Sequence, residues 1–353
     1  MMSVSETIEK TKRSTKLSPD EVAELLAVKK EEDIAELFSA ASSVRDRAFG
    51  KKVFIYGFVY FSTHCRNNCA FCYYRRTNVL PRYRKTKDEV LTLSASLKDA
   101  GINLVDLTMG EDPFMCADEH NEFLEILRAV KEEIGVSTMA SPGAVPQVSF
   151  KKFREAGADW FACYQETYNR KLFRELRLEQ DFDHRMNQKI WAREAGLLTE
   201  DGIMVGIGET LEDRAESILK MGSLGCEQVR AMTFVPQKGT PMEHTKPTEP
   251  IDELTSIAVM RLLYPNKLIP ASLDVEGIAG LKSRLDAGAN VITSIVPPRE
   301  DLAGVAQHEL DIDNGHRSVQ HVLNLLDGMG KKAATNAEYE TYLNKLKLQL
   351  VKV

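Results

Sequence analysis

The chain has 353 residues, of which 43% are hydrophobic and 28% are charged, and its formal net charge is −6. This composition is typical of a globular domain. A net negative charge disfavours a nucleic-acid partner, since such proteins usually present a basic face. No run approaches the roughly 20 apolar residues that a membrane-spanning helix needs. We therefore expect neither nucleic-acid nor membrane binding.

The cysteine content and the N-terminus both predict a reducing environment. The first residues, MMSVSETIEKTKRSTK, lack the apolar centre of a secretory signal. Six cysteines in a chain of this length, three of them clustered, do not form the pattern of a disulfide framework. The sequence thus predicts a cytoplasmic protein.

The chain begins with a predicted helical extension over residues 1–50. The first 16 residues are polar, and we expect them to be loose. Ser18 to Glu21 then form a capping box with Pro19 at the first helical position, which predicts a short amphipathic helix. A second helix follows with apolar residues at helical spacing, and Gly50 can end it.

From residue 53, short apolar runs alternate with helical stretches. The predicted strands cover 53–60, 103–109, 136–140, 159–164, 202–207, 228–235, 267–272 and 289–295. The predicted helices lie near 87–100, 119–134, 148–156, 183–196, 210–222, 251–264, 277–286 and 316–328. Eight β-α units in series favour a parallel (β/α)8 TIM barrel over residues 51–330. Residues 331–353, with a helix around 336–349, are predicted to form a C-terminal helical tail that caps the barrel.

Three cysteines, Cys65, Cys69 and Cys72, follow the first predicted strand with the spacing C-x3-C-x2-C. This position is the C-terminal mouth of a barrel, where catalytic loops lie. A structural zinc site would need four ligands, and a disulfide would leave one cysteine over. A [4Fe–4S] cluster bound by three cysteines keeps one iron open for a ligand. The remaining cysteines, at 116, 163 and 226, are isolated and are interpreted as small buried apolar side chains.

The segment THCRNNCAFCYYRR, with Phe71 before the last cysteine, resembles the radical S-adenosylmethionine (SAM) superfamily. The resemblance implies that Cys65, Cys69 and Cys72 bind a [4Fe–4S] cluster whose open iron chelates SAM. It further implies reductive cleavage of SAM to a 5′-deoxyadenosyl radical, with an electron donor such as ferredoxin or flavodoxin.

Later segments resemble the motifs that hold SAM in this superfamily. Gly110 and Glu111, in MGED, resemble the segment that meets the methionine ammonium, although Met109 stands where a glycine is usual. Glu166, in YQET, and Arg185, in DFDHRMN, resemble the ribose and carboxylate contacts of the biotin-synthase and hydrogenase-maturase branch. Gly206, in GIMVGIGE, resembles the adenine-binding segment. Without the resemblance, Arg185 would be interpreted as an exposed helix residue and MGED as a turn.

Four polar residues lie in or beside predicted strands: Asp106, Arg230, Ser272 and Asp274. Ser272 and Asp274 are two residues apart and share a face in extended chain. Buried charges are costly without partners. One arginine and two aspartates suit a zwitterion with a second ammonium, but they are equally consistent with internal salt bridges.

The phrases YFSTHCRNNCAFCYY, VDLTMGEDP, VRAMTF, PQKGTP and LIPASLDVEG resemble the methylornithine synthase family, and the resemblance extends from about residue 17 to 330. It implies isomerisation of L-lysine to (3R)-3-methyl-D-ornithine by hydrogen abstraction, fragmentation and recombination, the first step of pyrrolysine biosynthesis. It assigns the carboxylate to Arg230 and the amino groups to Asp106, Ser272 and Asp274. The alternatives are a biotin-synthase-like or maturase-like radical enzyme acting on another small molecule, and a redox-sensing iron–sulfur protein without turnover.

Overall fold

The computed structural model describes residues 3–13, 16–297, 302, 304 and 317–350. The strands are β1 Lys52–Ser62, β2 Leu104–Met109, β3 Ser137–Ser141, β4 Trp160–Ala162, β5 Leu198–Val205, β6 Gln228–Thr233, β7 Pro270–Ser272, β8 Val291–Ile295 and β9 Lys332–Ala333. The helices are α1 Val4–Arg13, α2 Pro19–Leu26, α3 Glu31–Phe49, α4 Lys87–Asp99, α5 Asn121–Ala129, α6 Ser149–Glu155, α7 Arg170–Leu176, α8 Phe182–Glu194, α9 Leu211–Ser223, α10 Pro250–Leu263, α11 Leu281–Asp286, α12 Val319–Gly328 and α13 Asn336–Leu350.

The first eight strands form one parallel sheet in the order β6-β5-β4-β3-β2-β1-β8-β7. A parallel bridge between Gln228 and Leu268 connects β6 to the segment just before β7, so the sheet curves into a nearly closed barrel. Helices follow the strands, as right-handed crossovers require. The predicted (β/α)8 barrel is confirmed.

The C-terminal helix closes the N-terminal end of the barrel. Tyr339 of α13 is fully buried, and its hydroxyl accepts a hydrogen bond from the indole N–H of Trp160 at 3.0 Å. Asn103, just before β2, donates to the carbonyl of Ala334 at 2.9 Å. Since α13 covers this end, the barrel is left open at the C-terminal ends of the strands. Barrel enzymes carry their chemistry there, and the cavity described below lies toward that end.

The helical extension packs on the outside of the barrel, with α2 against α9 and α3 against α10. The predicted capping box is present: the hydroxyl of Ser18 accepts from the N–H of Glu21, and the Glu21 side chain accepts from the N–H of Ser18. Such a cap contributes about 1 kcal/mol to helix stability. A further capping box at Thr86 and Glu89 begins α4 and so ends the long loop that follows β1.

Three local predictions are wrong. The N-terminal residues are not loose from 4 to 13, because Thr7, Ile8 and Thr11 form a buried stripe on α1. Strand β5 begins at Leu198 rather than at 202, because its polar start, Thr199 to Asp201, is buried and paired with neighbouring strands. Helix α7 is absent from the prediction, which placed no element between 164 and 183.

The remaining boundaries agree closely, although the predicted helix 119–134 divides into α5 and a π turn, Val130–Ile134. The predicted helix 316–328 corresponds to α12, and residue 316 lies outside the described residues. Residues 1, 2, 14, 15 and 351–353 of the predicted extension and tail also lie outside them. The division into domains at residues 50 and 330 stays a prediction.

Candidate active site

The three clustered cysteines lie on the long loop between β1 and α4. Arg82 holds this loop together, since its guanidinium donates to the carbonyls of Tyr74 at 2.8 Å and Arg75 at 2.6 Å, and to that of Thr63. All six cysteines of the chain are free thiols, so the disulfide alternative is wrong. Burial raises the pKa of Cys65 to about 11 and that of Cys72 further still.

One cavity brings most of the predicted site residues together. Its wall includes eleven of the thirteen candidates, namely Cys65, Cys69, Phe71, Cys72, Asp106, Gly110, Glu111, Glu166, Arg185, Arg230 and Asp274. Gly206 and Ser272 are not part of this wall. The cavity therefore has a thiol-lined region and, continuous with it, a region lined by charged side chains.

Gly110 and Glu111 follow β2 directly beneath the cysteine loop. A Cβ atom on Gly110 would lie 2.2 Å from the carbonyl oxygen of His64, so only glycine permits this approach of the two backbones. Glu111 accepts from the backbone N–H of Ala144 at 3.0 Å and pairs with Arg185 at 3.4 Å. Burial raises the pKa of Glu111, but Arg185 and the other donors outweigh it and hold that pKa below its usual value.

Arg185 is not an exposed helix residue. Its side chain is 6% exposed, and its Nε donates to the carbonyl of Tyr164 at 2.7 Å. Helix α8 begins with Asp181 as N-cap, whose carboxylate accepts from the N–H of His184, and Arg185 directly follows this capped start. The guanidinium thus reaches the same region as Glu111.

Glu166 and Gly206 lie at the ends of β4 and β5. Glu166 has a left-handed φ of 69° and is bridged to Ile203 of β5. Gly206 also has a positive φ, 91°, and a Cβ there would lie 2.8 Å from the side chain of Thr248. Gly206 faces a separate outer cavity, whereas its neighbour Ile207 packs in one apolar cluster with Phe71.

Arg230 of β6 is held by an acid that the sequence analysis missed. Its Nε donates to Glu200 of β5 at 2.7 Å, and both side chains are essentially inaccessible. The ring of Tyr164 lies 5.4 Å from the guanidinium. One Nη nitrogen of Arg230 and one carboxylate oxygen of Glu200 are buried without a hydrogen-bond partner in the described structure. The free Nη is available to a substrate carboxylate.

Asp274, just after β7, has an internal cation. Its carboxylate accepts from Tyr60 at 3.1 Å, Ser272 at 3.0 Å, Ser294 at 2.6 Å and Arg317 at 2.8 Å. Burial raises the pKa of Asp274, but Arg317 and the hydroxyl donors together hold it below its usual value. Ser272 therefore does not line the cavity itself but donates a hydrogen bond to Asp274, which does. A substrate ammonium at Asp274 would share that carboxylate with Arg317.

Asp106 of β2 has no cation at hydrogen-bond distance among the described residues. Ser141 donates to its carboxylate at 2.6 Å and Thr108 at 2.9 Å. Burial, reinforced by Glu200, outweighs these donors and raises the pKa of Asp106 to about 7. This carboxylate is the acid of the cavity that most lacks a counter-ion.

Comparison with known proteins places these features in a family. The radical SAM superfamily matches residues 59–221. The 3-methylornithine synthase of Methanosarcina acetivorans is 44% identical over 335 residues, which cover 95% of this chain and 95% of that protein. The crystal structure of methylornithine synthase (PylB) superposes with a TM-score of 0.91 at 43% identity, covering 95% of this chain and 99% of that one.

The chain belongs to the 3-methylornithine synthase family of radical SAM enzymes. A more distant relative, the [FeFe] hydrogenase maturase subunit HydE of Thermotoga maritima, is 33% identical and covers 72% of this chain and 74% of that protein. In the described part of the chain, no helix is long and apolar enough to cross a membrane.

Membership in the radical SAM superfamily implies a [4Fe–4S] cluster and SAM as cofactors. The donor set of this chain fits the cluster, since three thiols face one cavity from a single loop. Within the described ranges, no three His, Cys, Asp or Glu side chains are close enough to ligate one metal ion. A four-iron cluster differs from a zinc ion here, because each of its cysteines binds a different iron and the sulfurs stand farther apart.

Three residues that were not singled out from the sequence form ion pairs with candidate site residues: Arg177, Glu200 and Arg317. Glu200 was missed because β5 was predicted to begin at 202; a strand beginning at 198 would have shown it as a charge in a buried strand. Arg177 follows α7, the helix that was not predicted. Arg317 had no recognisable signal, since nothing in sequence connects it with Asp274.

Proposed function

We propose that this chain catalyses the synthesis of 3-methylornithine from L-lysine, as a radical SAM mutase giving the (3R)-3-methyl-D isomer. The carrying observation is the single cavity, whose wall contains the three thiols together with Arg230, Asp106 and Asp274. A radical made beside the thiols would therefore arise in the same cavity as a molecule held by these charged side chains. The nearly full-length similarity to named 3-methylornithine synthases supports the same reaction.

The thiol end suits the cofactors. Cys65, Cys69 and Cys72 would hold the cluster, while Glu111 and Arg185 are arranged for the ammonium and carboxylate of SAM. When bound, the cluster and SAM would together supply a carbon-centred radical that can remove hydrogen from an unactivated carbon. Glu166 reaches the same wall and is proposed to contact the ribose, with Phe71 beside the nucleoside. Gly206 lies outside this wall and would act through its neighbour Ile207, which packs with Phe71.

The charged end suits lysine. Arg230, Asp106 and Asp274 line it, and Glu200 and Arg317 are the ion-pair partners of two of them, which makes two cations and three carboxylates. Two positive and three negative groups sum to −1 when Asp106 is ionised. Lysine at neutral pH carries two ammonium groups and one carboxylate, so its +1 complements the cavity. Arg230 would bind the carboxylate, and Asp106 would supply the counter-ion for one ammonium.

Enclosure of the site also fits a reaction that passes through fragments. Asp106 and Arg230 are buried and the Asp274 side chain is only 8% exposed, and α13 closes the opposite end of the barrel. Exclusion of water protects reactive intermediates from side reactions. The electron would come from a one-electron carrier such as ferredoxin or flavodoxin, and we propose a cytoplasmic location.

Incubation of the reconstituted, reduced protein with SAM and L-lysine tests the function. Mass analysis under anaerobic conditions should detect an isomer of lysine that co-elutes with 3-methylornithine, together with 5′-deoxyadenosine. Cleavage of SAM without any change in lysine would instead favour another radical enzyme of the biotin-synthase or maturase branch. Absence of 5′-deoxyadenosine from a protein with a full cluster would favour an iron–sulfur protein without turnover.

The raised pKa of Asp106 predicts an acid limb in the pH profile. Below pH 7 the carboxyl of the free enzyme becomes neutral and loses its attraction for a substrate ammonium, so kcat/KM for lysine should fall about tenfold for each pH unit. Above pH 7 the carboxylate is ionised and the dependence should level off. Glu200 and Arg230 face Asp106 and oppose each other in their effect on its pKa.

Asp106→Asn provides the control for this profile. The amide has nearly the same shape but does not titrate, so the variant should show weak lysine turnover with no acid limb near pH 7. An unchanged acid limb in Asp106→Asn would assign the titration to another group. The rate of SAM cleavage without lysine, measured at each pH, corrects for changes at the cofactor end.

A further inference from the structure

The turn after α7 contacts the middle cysteine of the loop directly. The N–H of Ala70 donates to the carbonyl of Leu176 at 2.7 Å, which fixes the turn against the cysteine loop. Two side chains then donate to the sulfur of Cys69: Gln180 Nε2 at 3.0 Å and Arg177 Nη1 at 3.6 Å. Cys65, in comparison, accepts from the backbone N–H of Asn67 at 3.4 Å.

Arg177 is a buried cation that touches three parts of the site. Its side chain is 10% exposed. Beyond Cys69, it pairs with the carboxylate of Glu166, and its guanidinium lies 5.2 Å from the centre of the Phe71 ring. The same side chain lines the cavity that the thiols line. Arg177 thus contacts a proposed cluster ligand and two residues proposed to face SAM.

Burying this charge has a cost that the local contacts must offset. An arginine out of water is tolerated when anions and aromatic faces surround it. Gln180 already supplies a neutral donor to the sulfur, so a hydrogen bond alone does not require arginine at this position. What the guanidinium adds is a fixed positive charge at short range, where the low local dielectric makes it effective.

We infer that Arg177 raises the reduction potential of the [4Fe–4S] cluster by acting through the sulfur of Cys69. The reduced cluster carries one more negative charge than the oxidised cluster, so a nearby cation stabilises the reduced form. Hydrogen bonds to the sulfurs and local charge are established determinants of iron–sulfur potentials. One electron enters from the donor, and no bond or proton changes at Arg177. The inference rests on the cofactors of the proposed function, not on lysine as the substrate.

The test compares midpoint potentials of reconstituted proteins. Arg177→Gln removes the charge but retains a polar side chain, and reduction should become about tenfold less favourable, a shift of about 59 mV to more negative potential. Arg177→Lys keeps the charge without the planar fork and should shift less. Arg76→Gln is the matched control: this arginine of the same loop is 46% exposed, pairs with Glu179, and should leave the potential unchanged.

The potential is measured by a spectroscopically monitored redox titration. Iron and sulfide contents are measured on the same samples, and only samples with a full complement of four irons are compared. An unchanged potential in Arg177→Gln at full iron content would overturn the inference. Loss of the cluster from both Arg177 variants would also overturn it, because Arg177 would then hold the loop rather than adjust the potential. If the wild type transforms no lysine and Arg177→Gln still shifts the potential, the inference stands and only the substrate assignment fails.

Discussion

Replacing Cys65, Cys69 or Cys72 by alanine is expected to abolish the [4Fe–4S] cluster and, with it, all cleavage of SAM. Each thiolate would bind one iron, and the fourth iron is needed for SAM, so no cysteine of the loop is spare. The three lie on one loop and share one cavity. Iron and sulfide analysis after anaerobic reconstitution, with assay of 5′-deoxyadenosine, measures the loss.

Cys163→Ala is the matched control. Cys163 lines the same cavity and is buried, but it stands alone directly after β4 and not on the cysteine loop. Cys116→Ala and Cys226→Ala extend the comparison. All three variants should retain four irons per chain. Loss of the cluster in Cys163→Ala would contradict the assignment of the ligands to the loop after β1.

Arg230→Lys is expected to depress lysine turnover strongly although it keeps the positive charge. The guanidinium uses Nε to pair with Glu200 at 2.7 Å and keeps a buried Nη without a partner for the substrate carboxylate. A lysine ammonium does not have the planar fork that serves both groups at once. The loss of one charge-assisted hydrogen bond costs about 1.5–3 kcal/mol, or about tenfold to a hundredfold in kcat/KM.

The measurement quantifies 5′-deoxyadenosine and methylornithine in one anaerobic assay. Arg230→Lys should still cleave SAM slowly, because SAM is proposed to be held by Glu111 and Arg185 rather than by Arg230. Arg170→Lys serves as the control, since Arg170 pairs with Asp183 on the surface, where both side chains are more than half exposed. Wild-type production of methylornithine by Arg230→Lys would require another carboxylate site.

The internal cation at Asp274 changes how the substrate end is understood. From the sequence, Asp274 is predicted to bind an ammonium, and an internal salt bridge is the alternative. The structure contains such a bridge, to Arg317, and a second one between Arg230 and Glu200. Asp106 is then the acid without an internal cation among the described residues, and a substrate ammonium would neutralise its charge. The salt bridges and the binding site are therefore compatible, because their charges together leave a net negative cavity.

Local patterns in the sequence were enough to predict the barrel and to select candidate residues most of which line one cavity. The alternation of short apolar runs with helical stretches requires a parallel sheet, and parallel strands bring their C-terminal ends to one rim. Residues placed in or after different strands, such as Cys65, Glu111 and Arg230, are therefore expected from the sequence to meet at this rim. The spacing of the three cysteines indicated their chemistry, since it depends on a few adjacent residues.

The tertiary structure decided the partners and the protonation of these groups. Arg177 meets Cys69 across 108 positions of the chain, and Arg317 meets Asp274 across 43. Nothing local marks such pairs, because burial and hydrogen bonding arise only when distant segments pack together. The raised pKa of Asp106 has the same origin, since it comes from loss of water rather than from the residue itself. Sequence alone thus determined which chemical groups reach the rim, and packing determined which of them remain free to act.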